Sequence, residues 1–232
     1  MLWLFLVCTL AAATDVAAPG DLTTALAREE AGDLPGALQA AENAVRAEPT
    51  SPLARLEAAR LLLKLGGDLA QAEAHLDVAE AVAPENPRLH YLRGLLWEER
   101  GQPLRAAQAY ERAVLYRTSY EEARFRLAGL WAAQGDWLKA ELHYRYLSRS
   151  RPEWVQVRLQ LARVLEAQGR GVDAERELVQ LRKQQPDNPL ILRRLMELYE
   201  RTGRPRLAEK LRARLEPSVP SRKLRPLRPS HR

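Results

Sequence analysis

The chain has 232 residues, with 36 Lys and Arg against 30 Asp and Glu, four histidines and a single cysteine. One cysteine excludes an internal disulfide and leaves no Cys–His cluster for a structural zinc site. The net charge of +6 is uneven: residues 188–232 carry thirteen basic and four acidic side chains, +9, which leaves 6 − 9 = −3 for residues 1–187, so the C-terminal end is either a solubilising cap and tail or a contact for an anionic surface.

The first element is MLWLFLVCTLAAA, Met1 to Ala13, an apolar run of about twelve residues. That is short of the roughly 20 a spanning helix needs, and it suits the apolar region of a secretory signal. Ala11 and Ala13 give a small-x-small pattern for cleavage before Thr14, although no Lys or Arg precedes the run. Val7 rather than a small residue precedes Cys8, which argues against a lipid-bearing cysteine. Residues 1–13 are therefore expected to be a signal peptide, with retention as a short anchor as the alternative.

From Pro19 to about Glu216 one pattern recurs. A glycine mark stands at Gly32, Gly67, Gly101, Gly135, Gly169 and Gly203, an alanine mark at Ala37, Ala72, Ala106, Ala140, Ala174 and Ala208, and a proline mark at Pro49, Pro84, Pro152, Pro186 and Pro220, with Thr118 as the exception. The glycine intervals are 35, 34, 34, 34 and 34. In the fourth copy Leu127, Ala128 and Trp131 share one helical face, and Ala140, Tyr144 and Leu147 share another. The spacing predicts two amphipathic helices per copy, a glycine turn between them, and a proline that ends the second.

Three marks keeping this period over six copies resemble the tetratricopeptide repeat, with a leucine, a small residue and an aromatic in the first helix and alanine and an aromatic in the second. Arg93 departs from that pattern where leucine is usual, and Thr24, Ala25 and Arg28 make the first copy the faintest. The resemblance implies an all-α fold, a right-handed superhelical solenoid of about six helix-turn-helix repeats over residues 14–216. It also implies a concave side lined by the first helix of each copy, where a peptide or helix of a protein partner is held. Carried across, those positions are Leu22, Leu26 and Glu29; Leu53, Leu56 and Arg60; Arg88, Tyr91, Leu95 and Glu98; Glu122, Phe125 and Gly129; Gln156, Leu159 and Arg163; and Leu190, Arg193 and Glu197. Tyr91, Phe125 and Leu159 hold equivalent places in successive copies and form an apolar stripe beside Arg88, Arg163 and Arg193, read either as interface anchors or, for Tyr91 and Phe125, as rings that fill space between neighbouring copies. The carboxylate clamp of heat-shock co-chaperones needs lysine and asparagine where Leu22 and Leu26 stand.

The chain ends in PSVPSRKLRPLRPSHR, four prolines and five basic groups without an acid, read as a disordered basic tail over residues 217–232. Arg206, Lys210, Arg222, Lys223, Arg225 and Arg228 form a basic pole suited to an anionic membrane surface or an acidic partner; no aromatic in the tail is placed to stack nucleic-acid bases. His75, His90, His143 and His231 are scattered, no glycine-rich phosphate loop follows a strand, and paired glutamates such as Glu98–Glu99 read as solvated faces, so neither metal, cofactor nor catalytic residue is expected. The sequence reads as an exported, periplasmic, non-catalytic binding scaffold resembling the repeat proteins of bacterial envelope machines, pilotins among them. The alternative is a membrane-surface assembly factor held by an uncleaved N-terminal anchor and the basic tail.

Overall fold

A computed structural model describes residues 20–215. The leader at 1–13, the tail at 217–232 and the pole residues Arg222, Lys223, Arg225 and Arg228 lie outside them. The described residues hold twelve α-helices and no strand. They divide into two compact units after Tyr120.

The first unit contains three hairpins: α1 (Gly20–Glu30) with α2 (Leu34–Ala47), α3 (Pro52–Leu65) with α4 (Leu69–Val82), and α5 (Pro87–Glu99) with α6 (Pro103–Tyr116). The second contains α7 (Glu121–Ala133) with α8 (Trp137–Ser150), α9 (Val155–Ala167) with α10 (Gly171–Gln184), and α11 (Pro189–Arg201) with α12 (Pro205–Leu215). Five of the helices begin on an aspartate or asparagine whose side chain accepts a backbone N–H of the first turn: Asp33, Asp68, Asn86, Asp136 and Asn188. These caps satisfy donors that a helix start otherwise leaves open.

Each first helix ends on a glycine in the left-handed region, and the second copy corrects the sequence reading. Gly66, at φ +63°, makes that turn, whereas Gly67 does not have positive φ. Gly67 sits one place later and donates its N–H to Leu62 O at 2.9 Å, as Asp136 does to Trp131 O in the fourth copy. The intervals between turn glycines are therefore 34, 35, 34, 34 and 34. The spare residue is Gly67 itself, inserted between the turn and the Asp68 cap.

Small residues sit where the helices of a hairpin come closest. Ala128 and Ala140 are fully buried, and Gly94 lies against the buried ring of Tyr110. The first unit's core falls in two clusters, one around Leu22, Ala41, Ala58 and Leu61 and one around Leu56, Leu76, Leu89 and Leu96. The second unit has one cluster running from Ala128 to Leu211. Ala25, in the copy that matched the repeat most faintly, is 1% exposed.

Consecutive hairpins of each unit are also tied by ion pairs. Arg100 reaches Glu73 at 2.7 Å, Arg170 reaches Glu141 at 2.8 Å, and Arg204 reaches Glu175 at 2.8 Å. Arg93, the residue that departs from the leucine expected there, stays outside the apolar core by pairing with Asp77 at 2.7 Å and with Glu80. Its aliphatic stem is covered while its charge is met, which is how an arginine is accommodated at a half-buried place.

Candidate functional site

The first helices of neighbouring hairpins stand side by side in each unit, and the side chains between them line a cleft. In the first unit Leu22, Leu26, Glu29, Leu53, Glu57, Arg60 and Arg88 enclose about 400 Å³. Leu26 and Leu53 are exposed at its mouth. Behind them runs a closed ladder of charge: Arg60 donates to Glu29 at 2.9 Å and to Glu57 at 3.0 Å, Arg88 to the far oxygen of Glu57, and Lys64 to Glu29 at 2.7 Å.

That ladder sets the titration of its members. Hydrogen bonds from Arg60 and then Lys64 pull the Glu29 carboxyl down to about 2. Burial pushes Glu57 up, but the bonds from Arg60 and Arg88 together outweigh it and leave the group below the usual carboxylate range. Both carboxylates are thus ionised through the neutral range, and each has its counter-charge within hydrogen-bond reach.

In the second unit Gln156, Leu159, Gln160, Arg163, Leu190, Arg193, Arg194 and Glu197 enclose about 370 Å³. Arg194 donates to Glu166 at 2.9 Å and to Glu197 at 3.0 Å. Leu190 is 44% exposed, while Leu159 is partly covered by the core beneath it.

The expected anchors lie in separate units. Tyr91 is half-buried and its ring meets Tyr110 and Tyr120, with centroids 5.7 and 5.1 Å apart. Phe125 is half-buried too, edge-on to Tyr144 at 5.9 Å and stacked on Trp154 at 5.2 Å. Each aromatic therefore spends much of its surface on its own unit. Leu95 packs against the core in the same way, Glu98 is half-buried, and Glu122 and Gln156 are exposed. Leu56, also expected on the inner wall, is 2% exposed and belongs to the core. Arg206 and Lys210 of the basic pole are exposed on α12.

Sequence reasoning passed over Glu57, Gln160 and Arg194. Glu57 and Arg60 stand three apart on one helix, as do Arg194 and Glu197, and that i,i+3 charge spacing was the available signal.

Three histidines lie in polar or aromatic surroundings away from these clefts. His75 lies between Glu42 and Arg55, 3.0 Å from each, and is 5% exposed. His90 stacks on Tyr116 and its Nε2 lies 2.6 Å from Pro84 O. Burial and the neighbouring Arg124 push His143 down to about 4. Among the described residues no group of three His, Cys, Asp or Glu is placed to hold a metal ion, and no helix is long and apolar enough to cross a membrane.

The twelve helices of the described residues, paired as hairpins of one period with small residues at the crossings and a glycine at each turn, define an all-α helical-repeat protein. Family models agree: one tetratricopeptide repeat model matches residues 29–96 and 132–193, and a second matches 98–153. The chain belongs to the tetratricopeptide repeat family, whose members are generally non-catalytic scaffolds that bind protein partners.

No curated protein matches the chain in sequence. Among solved structures it is similar to PilW, a widely conserved type IV pilus biogenesis factor, at 19% identity, TM-score 0.71, 88% of this chain and 94% of that one. It is similar also to Pseudomonas aeruginosa pilF, at 18% identity and TM-score 0.70 over 84% and 88%. YrrB, a repeat protein with an unusual peptide-binding site, matches at 15% identity and TM-score 0.66 over 77% and 91%. At these identities the likeness is one of fold.

Proposed function

We propose that the chain is an exported, periplasmic scaffold that takes up an extended peptide or a helix of an envelope protein between its first helices. The observation that carries the reading is the placement of partly exposed leucines, Leu26 and Leu53 in one unit and Leu159 and Leu190 in the other, beside charged groups in clefts of a few hundred Å³. Apolar anchors framed by polar groups are what fix a peptide in register. PilW, the type IV pilus biogenesis factor among its structural relatives, favours a role in building an envelope machine. The apolar leader at 1–13 supports export, and the basic C-terminal region, +9 over residues 188–232, supports a second contact with anionic lipid.

The test places a photo-activatable cross-linker at Leu53 or Leu159 and, as a control, at Leu138, which lies on a second helix and is 75% exposed. Adducts from the two cleft positions and none from Leu138 are expected; equal yields at all three would defeat the groove reading. N-terminal sequencing of protein from the cell envelope tests export, with a chain beginning at Thr14 as the expected result.

A further inference from the structure

Arg60 and Arg163 occupy the same place in the repeat, three copies and 163 − 60 = 103 residues apart. Arg60 is closed by two carboxylates, Glu29 and Glu57. The residues 103 positions after those two are Ala132 and Gln160, both neutral. Arg163 thus has neither counter-charge at the equivalent positions, and among the described residues it makes no hydrogen bond or ion pair. Arg193, facing the same cleft from α11, makes none either, whereas Arg194 beside it is engaged by Glu166 and Glu197. The cleft thus presents, next to Leu159 and Leu190, two exposed cations that make no ion pair among the described residues.

We propose that this cleft of the second unit holds a peptide segment bearing aspartate or glutamate side chains, with Arg163 and Arg193 pairing the carboxylates. The inference rests on the groove reading and narrows it to a partner chemistry. Arginine is suited to the task because its planar fork bonds a carboxylate through two N–H groups. Leu159 and Leu190 offer apolar contact, and Gln156 and Gln160 offer donors and acceptors for a peptide backbone, none of which a bare polyanion would use. Arg222, Lys223, Arg225 and Arg228 of the chain's own terminal sequence carry the same sign of charge as the cleft arginines and do not complement them. The first unit lacks this capacity: its arginines already face Glu29 and Glu57.

The experiment selects a display library of random peptides on the purified full chain, then measures recovered peptides by fluorescence anisotropy against wild type and three variants. Peptides rich in Asp and Glu are expected. Their affinity should fall tenfold or more in Arg163→Gln/Arg193→Gln and with rising salt, and stay unchanged in Arg149→Gln, an exposed charge on the second helix α8. Both cleft arginines are exposed, so circular dichroism of the double variant should overlay wild type. Leu159→Asp/Leu190→Asp reports on the groove itself. Neutral or basic peptides that lose binding only in the leucine variant would overturn the acidic partner and leave the groove standing. No recovered peptide, or peptides indifferent to both double variants, would remove the groove and the partner together. Displacement of the acidic peptides by an RNA homopolymer that binds more tightly, or concentration-dependent self-association abolished by Arg163→Gln/Arg193→Gln, would also overturn the proposal.

Discussion

Gly94 faces Tyr110 so closely that a Cβ added to the glycine would lie 2.2 Å from the ring carbon Cε1. Tyr110 is fully buried, so the ring has no room to withdraw. Gly94→Ala should therefore destabilise the first unit by about 1–3 kcal/mol despite alanine's better helix propensity, because overpacking outweighs a propensity gain of about 1 kcal/mol. Urea denaturation followed by circular dichroism measures it. A rise in stability would mean the two helices separate easily.

The two glycines of the second turn are expected to respond unequally. At Gly66 an L side chain is forced into the left-handed region, so Gly66→Ala should cost about 1 kcal/mol. Gly67 is not in that region, and an added Cβ meets only Leu62 atoms at 3.3 Å. Gly67→Ala should stay within about 0.5 kcal/mol of wild type. Equal losses would contradict the assignment of the turn to Gly66.

Breaking the ladder of the first unit should cost stability. Arg60→Leu leaves Glu57, 7% exposed, with Arg88 alone and frees Glu29 from its strongest partner. A loss of about 1–3 kcal/mol at neutral pH is expected, less than a fully buried pair would show because Arg60 keeps partial contact with water. The same variant should lose less stability than wild type on acidification between pH 4.5 and 2, the window over which Glu29 titrates when folded and when unfolded.

His143 gives a separate window. Its folded value of about 4 lies below its ordinary 6.5, so between those values the unfolded chain binds a proton that the folded chain does not. Stability contributed by the neutral ring is complete above pH 6.5 and is lost as pH falls toward 4, by up to about 2 kcal/mol once partial solvent access is allowed for. His143→Gln should flatten the stability profile of the second unit across that interval and leave the more acidic part unchanged. An identical slope in the variant would exclude the ring as its source.

Truncating Phe125 bears on the anchors. Its ring touches Tyr144 and Trp154, so Phe125→Ala should lower stability by about 1–3 kcal/mol as well as any partner affinity. Arg163→Gln should lower affinity alone. Separate readouts of melting and binding distinguish packing from recognition at the two positions.

The period of the chain was enough to place its helices, because a glycine turn, a small crossing residue and a proline stop are each local in cause. The misassigned Gly67 shows the limit: two adjacent glycines satisfy the same pattern, and only the backbone conformation, left-handed at Gly66 and not at Gly67, decides which is the turn. Tyr91 and Phe125 were found on the expected helices, but their degree of cover depends on Tyr120 and Trp154, which lie outside the repeat marks. The contrast between Arg60 and Arg163 needed the three-dimensional pairing of Arg60 with Glu29 before the neutral Ala132 became meaningful.

The ties between consecutive hairpins, such as Arg100 to Glu73 and Arg204 to Glu175, join residues fewer than one copy apart. A gene that duplicates one such unit carries the donor and the acceptor of the next bond along with it. Growth in length therefore demands no new complementary surface, and selection is left free to alter single inner-wall charges copy by copy.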